Sequence, residues 1–167
     1  MVNARHPDQP DTSPSHPAGG RLNLLLSCPV WREDAWADNL PRLLEPMGIR
    51  AIRAATGAEA GRIIAQRPVH IAVVDLGLPL DADNAAAEEG GVRILQVLSR
   101  LRQPPPTVVI KRRTARREEG REIRDALLAG AFAIIDRPSA QRDIELLLEV
   151  LRRALSRHYQ GRWPGLG

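Results

Sequence analysis

The chain contains one cysteine in 167 residues, which excludes an internal disulfide and any multi-cysteine metal site. Aromatic residues make up only 3%, so a row of stacking platforms for single-stranded nucleic acid is missing. No recognition-helix motif compensates, and nucleic acid is disfavoured as a partner. No apolar stretch, LLL and IELLLEVL included, approaches a bilayer span, and no apolar signal region follows the N-terminus. These absences lead to the expectation of a cytoplasmic protein that neither crosses a membrane nor is secreted. Lysine is also nearly absent. Lys111 is the only one, and arginine supplies every other basic side chain.

What is present has the proportions of a folded domain, with 43% hydrophobic and 26% charged residues. The net charge is a modest +4 and is unevenly placed. Between Lys111 and Arg124 seven basic residues face three acidic ones, whereas Asp81, Asp83, Glu88 and Glu89 form a loop with no base. The length suits one domain. Residues 1–20, rich in Pro, Ser, His and Gly, read as a disordered leader. Residues 21–158 hold the foldable chain, and 159–167 a short tail.

Within residues 21–158, short apolar runs alternate with helical patterns. Strands are expected at Leu22–Leu26, Ile49–Ala54, Ile71–Val74, Thr107–Ile110 and Phe132–Ile135. Pro41 is best tolerated in a first turn, so the first helix is expected to start near Asp38 or Asn39 and run to Met47. Thr56 and Glu59 form a capping box for a helix over Gly57–Gln66. Further helices are expected over Val92–Arg102, before three prolines, and over Arg117–Leu128, with Gly130 as C-cap. The last starts after Ser139 as N-cap and places Ile144, Leu147, Leu148, Leu151 and Leu155 on one face. Strands alternating with helices imply an α/β fold with a parallel sheet covered on both faces.

Open parallel sheets gather functional groups at the carboxyl ends of their strands, and Asp75 closes the run HIAVVD. Its surroundings, AATGAEA, RPVHIAVVDLGLP, GGVRILQVLSRLR and ALLAGAFAIIDRP, come in the order and spacing of a bacterial response-regulator receiver domain, which the chain resembles over roughly Leu22 to Leu155. The resemblance implies a doubly wound five-stranded parallel sheet of the flavodoxin-like order 2-1-3-4-5. It implies two-component phosphorelay signalling, in which a histidine kinase passes a phosphoryl group to an aspartate, by position Asp75. It further implies a divalent cation such as Mg2+, held by the acceptor, by an acidic pair ending the first strand and by the Gly77 carbonyl. A lysine ending the fifth strand, a Ser or Thr ending the fourth and an aromatic on the fifth complete the pattern.

Most of these partners are replaced. Ser27 and Cys28 stand at the acidic-pair positions, Arg137 at the phosphate-pairing lysine, and Lys111 and Ile134 at the two switch positions. Only Asp75 is retained. The chain therefore resembles a degenerate pseudo-receiver, with Mg2+ expected to bind weakly or not at all. Glu33 and Asp34, in a first loop about four residues longer than the pattern needs, are the alternative ligands beside Asp75 and Gly77, and the acidic loop Asp81–Glu89 is a second source. Without a metal, Arg137 is expected to pair with Asp75, across an Arg137–Pro138 bond that is cis as the matching bond commonly is in the family.

The leading reading is a stand-alone, non-enzymatic signalling module that binds a histidine kinase or a downstream effector independently of phosphorylation. A homodimer through the last helix is a further possibility. One alternative is a conventional receiver phosphorylated on Asp75 with loop carboxylates as metal ligands. Another is an anion or nucleotide binder using Lys111, Arg112, Arg113 and Arg137, although no phosphate-binding glycine loop follows the first strand. The basic segment Lys111–Arg117 is otherwise read as solvated, with partial pairing to the acidic loop Asp81–Glu89.

Overall fold

The computed structural model describes residues 21–29, 35–84, 89–111 and 116–160. Strands β1 (Leu22–Ser27), β2 (Ile49–Ala54), β3 (Ile71–Asp75), β4 (Thr107–Ile110) and β5 (Ala133–Ile135) alternate with helices α1 (Ala35–Leu44), α2 (Gly57–Gln66), α3 (Gly90–Ser99), α4 (Arg116–Leu128) and α5 (Gln141–Tyr159). All strand pairs are parallel, in the order β2-β1-β3-β4-β5. This is the doubly wound arrangement expected from the sequence.

Alternation along the central strands divides the core between two layers. Leu24, Leu26, Val73, Val108 and Ile110 face α1 and α5, where they meet Trp36, Leu40, Leu147 and Leu151. Leu25, Ala72 and Val74 face α2 and α3, against Ala60, Ile94 and Leu98. A third cluster of Leu76, Leu95, Val109 and Ala126 fills the angle between α3 and α4. β3 is buried at every position, as a strand covered on both faces must be.

The first helix departs from expectation. It begins at Ala35, so Pro41 lies in its interior rather than its first turn. An interior proline costs a helix roughly 3 kcal/mol through its missing N–H and its ring clash. The added first turn offsets this by burying Trp36, 4% exposed, and Ala37 against the sheet; a fully buried large apolar side chain contributes about 1.5–3 kcal/mol. Trp36 thus covers the sheet from α1. α3 starts two residues earlier than expected and stops at Ser99, three before Arg102, its end tightened by an Arg100 N–H to Val97 bond.

The cap of α5 is also a correction. Its N-cap is Ala140, not Ser139, and the capping oxygen comes from Asp143. The Asp143 carboxylate accepts from the backbone N–H groups of Ser139 and Ala140, both at 2.9 Å, and from the Ser139 hydroxyl at 3.0 Å. Those backbone bonds hold its carboxyl below the ordinary aspartate range. Gly130 does terminate α4, at φ 93°, where a side chain would be strained.

At the amino end of the sheet, His70 Nδ1 accepts the Asn23 N–H at 2.9 Å, and the His70 carbonyl accepts the Tyr159 hydroxyl at 2.6 Å. Tyr159, assigned to the tail by the sequence, closes α5 here. Burial lowers the His70 pKa below its ordinary 6.5. Its stabilising contribution is therefore complete above pH 6.5 and is lost as pH falls from there through the lower folded-state value, because the unfolded chain takes up the proton first. Denaturant titrations at pH 7.5 and 5.5 should show a larger loss of stability for the natural chain than for His70→Asn. Equal losses would dissociate His70 from this slope.

Candidate functional site

Asp75 ends β3 at the carboxyl rim of the sheet and is 0% exposed. A buried carboxylate needs its charge and lone pairs satisfied. Its Oδ1 accepts the Gly77 N–H at 2.7 Å, an Asx-type turn that reverses the chain after the strand. Its Oδ2 pairs with the Arg137 guanidinium. Arg137 follows β5, which is separated from β3 by β4, and its long side chain spans that gap. It remains 29% exposed, so it bridges the buried acceptor position and solvent. The expected charge pair is present. The expected cis bond is not, since no peptide bond among the described residues is cis and Arg137–Pro138 is trans. Trans is the intrinsically favoured X–Pro form by about 0.5–1 kcal/mol, and the Arg137 fork reaches Asp75 from it.

The two acidic-pair positions end β1 beside Asp75. Ser27 lies in register with Val74, the residue before Asp75. Its hydroxyl is buried without a hydrogen-bond partner among the described residues. Cys28 is 2% exposed. The Arg53 guanidinium interacts with Cys28 and, more strongly, with Asp38, whose hydrogen bond is the main cause of its raised pKa. A hard divalent cation takes several converging oxygens. Here the first strand offers a neutral hydroxyl and a soft sulfur, and both Asp75 oxygens are engaged. Among the described residues no three His, Cys, Asp or Glu side chains gather as a metal site. Asp81 and Asp83 are exposed, while Glu33 and Asp34 lie outside the described residues. Among the described residues the donor set does not fit the cation that the resemblance implies.

The switch positions are occupied by a charge staple and an apolar plug. Lys111 is next to β5, with its N–H bonded to the Ile135 carbonyl at 3.0 Å. Its ammonium pairs with Glu119 of α4 and, at 3.0 Å, with Asp136 at the end of β5. The Glu119 carboxylate first, then Asp136, raises its pKa above the ordinary lysine value. The pairing to the acidic loop, read for part of the basic segment, is therefore not made by Lys111. The parallel register that sets Ile110 against Ile135 puts Lys111 beside Asp136 instead. Arg112, Arg113 and Thr114 lie outside the described residues. Ile134 packs partly buried against the cluster of Leu76, Leu95, Val109 and Ala126.

Two features escaped sequence reasoning. The partners of Lys111 carry no local signal, because Glu119 and Asp136 reach it through two different elements. Gly90 and Gly91 stand out as a dipeptide, but their role appears only in three dimensions. A Cβ on Gly91 would lie 2.3 Å from the Asp75 carbonyl oxygen, and one on Gly90 would lie 2.3 Å from that of Pro79. These glycines let the start of α3 rest directly on the backbone that carries Asp75.

The surface formed by α4, β5 and α5 contains a groove of about 710 Å³. Ile123, Ile134, Ile135 and Leu146 supply its apolar lining, and Lys111, Glu119 and Asp136 lie along it. Leu146, at its edge, is 56% exposed. Among the described residues no helix is long and apolar enough to cross a membrane.

No protein-family model and no curated protein matches the chain. Solved structures do. A response regulator receiver domain protein from Methanospirillum hungatei JF-1 superposes with a TM-score of 0.62 at 23% identity, over 84% of this chain and 98% of that one. A sensor protein from Polaromonas sp. JS666 gives 0.60 at 24% identity, over 83% and 98% of the two chains. NtrX from Brucella abortus, solved in complex with ADP, gives 0.63 at 18% identity over 84% of this chain but 28% of its own. Together with the strand order, these neighbours show that the chain has the fold of response-regulator receiver domains.

Proposed function

We propose that this chain is a receiver-like module of two-component signalling that works by binding other proteins without taking up a phosphoryl group. The observation that carries the reading is Asp75 itself, 0% exposed with one oxygen on Arg137 and the other on the Gly77 N–H. A guanidinium supplies at Asp75 the positive charge that a cation would supply, and it competes with one for Oδ2. Mg2+ then binds weakly or not at all, and the site has no hydrolytic or transfer chemistry of its own. Lys111 and Arg137, the described cations a nucleotide reading would use, are each engaged with carboxylates, which weighs against that alternative.

The binding surface in this reading is the α4–β5–α5 groove, held in one conformation. In a switching receiver a neutral hydroxyl would move toward the modified aspartate; Lys111 is instead tied to α4 and to the end of β5. A ligand or modification shifts an equilibrium only through contacts that differ between two states, and the two residues that would make them are replaced. The partner is a histidine kinase or a downstream effector, with pairing of two copies through α5 as the competing outcome.

Quantitative pull-down with purified candidate kinases and effectors, together with sedimentation of the chain alone, tests this. Leu146→Glu should weaken association about tenfold, as expected for a residue at a contact. Asp75→Ala should leave it within about twofold, a difference of a few tenths of a kcal/mol. Loss of association in Asp75→Ala would instead support a conventional, phosphorylated receiver.

A further inference from the structure

β2 is an edge of the sheet, paired with β1 along its whole length. Among the described residues no strand lies on its other side. The Leu22 and Cys28 N–H groups bond to the Gly48 and Ala54 carbonyls at 3.0 and 3.1 Å. Backbone groups along a strand alternate in direction, so Arg50 and Ile52 address β1. Ile49, Ala51 and Arg53 therefore turn their N–H and C=O groups outward. Such a row of unpaired backbone groups is a template for another extended chain.

Beside the first half of this edge, at the end of α1, lies a recess of about 200 Å³. Ile49, Arg50 and Ala51 of β2 line it together with Arg21, Arg42 and Glu45. All four charged residues are exposed, three bases against one acid. Arg53, farther along the strand, pairs with Asp38 of α1. Arg21, Arg42 and Arg50 form no ion pair among the described residues, not even with Glu45. Local rules account for two of them singly. Arg42 complements the dipole in the last turn of α1, and a charge such as Arg50 deters edge-to-edge pairing of copies. Those rules do not account for Arg21, which precedes β1, or for all three bordering one recess. A second copy laid edge to edge would set like charges opposite one another. An extended chain bearing carboxylates suits both features, since its backbone completes the edge and its acids complement the bases.

We propose that the open edge of β2 and the arginine recess beside it dock an extended acidic segment of a partner protein. The segment pairs with the outward backbone groups of Ile49, Ala51 and Arg53 and directs carboxylates to Arg21, Arg42 and Arg50. This surface lies at the edge of the sheet opposite β5, is separate from the α4–β5–α5 groove, and does not depend on the state of Asp75.

The test is a titration of the 15N-labelled full chain with an eight-residue peptide of alternating Glu and Thr, and in parallel with its Lys and Thr counterpart. The Glu peptide should shift the β2 amides saturably and bind at least about tenfold tighter than the Lys peptide. It should also slow hydrogen exchange at Ala51 and Arg53 by about tenfold, and far less at Ile52, whose N–H already faces β1. Arg21→Glu combined with Arg42→Glu should remove the charge preference. Methylating every backbone nitrogen of the Glu peptide keeps its charge and removes its donors, and should weaken binding about tenfold. Equal affinity for the two peptides, an undiminished preference in the double variant, unchanged binding of the methylated peptide, or protection centred on Ile134 and Leu146 would overturn the proposal. The same protection on raising the concentration of the chain alone would assign the edge to a second copy and overturn it as well.

Discussion

Replacing Arg137 with Met is expected to cost about 3–5 kcal/mol of folding stability, the range found when one partner of a buried ion pair is removed. Asp75 is 0% exposed, and removing the guanidinium takes a charge partner from its buried Oδ2. The Gly77 N–H would still satisfy Oδ1, so the loss lies in the charge and in one oxygen. The reciprocal change, Asp75→Ala, should cost less. Arg137 is already 29% exposed and can turn its fork into solvent. Removing both partners should recover part of the Arg137→Met loss, because no buried charge is then left behind. Urea midpoints at constant m-value measure all three. A loss below about 1 kcal/mol for Arg137→Met would mean that the pair behaves like an exposed surface bridge.

The second large effect is expected at Gly91. A methyl group there would lie 2.3 Å from the Asp75 carbonyl oxygen and 2.7 Å from the Leu76 Cα, both backbone atoms that cannot rotate away. Gly91→Ala must therefore lift α3 off the end of β3 or bend the strand end, at a cost of about 1–3 kcal/mol or more. The strand end carries Asp75, so the shift should also appear in the amide resonances of Gly77 and Leu78. Gly61 is the control. It lies inside α2 with nothing within 4 Å of its added Cβ. Gly61→Ala should stabilise the protein by about 0.5–1 kcal/mol through helix propensity. If the two substitutions behaved alike, the close approach of α3 to Asp75 would not be what constrains Gly91.

The parts of this architecture that were legible in the sequence are those written in local pattern. The strands announce themselves because covering a sheet on both faces demands continuous apolar runs, and IAVVD and TVVI supply them. The pairing of Asp75 with Arg137 was also legible, because an unmetallated carboxylate at the sheet rim needs a counter-charge and the fifth strand ends on one. The misplaced start of α1 shows where local rules give way. Proline chemistry argues for a start near Asp38, yet the helix begins at Ala35, where burial of Trp36 and Ala37 offsets part of the proline penalty. The cap of α5 likewise went to Asp143, whose carboxylate satisfies three donors where the Ser139 hydroxyl would satisfy one. The Lys111 staple was illegible, since it depends on how α4 and β5 converge.

The most direct test of the central claim is the response of Asp75 to Mg2+ and beryllofluoride, followed by amide resonances of the intact chain. If Arg137 holds the place of the cation, the Gly77, Leu78 and Lys111 resonances should not move saturably below millimolar Mg2+, and beryllofluoride should add nothing. A submillimolar Mg2+ affinity that Asp75→Asn abolishes, followed by beryllofluoride-dependent shifts across β4 and β5, would contradict the account and show a functioning phosphoacceptor.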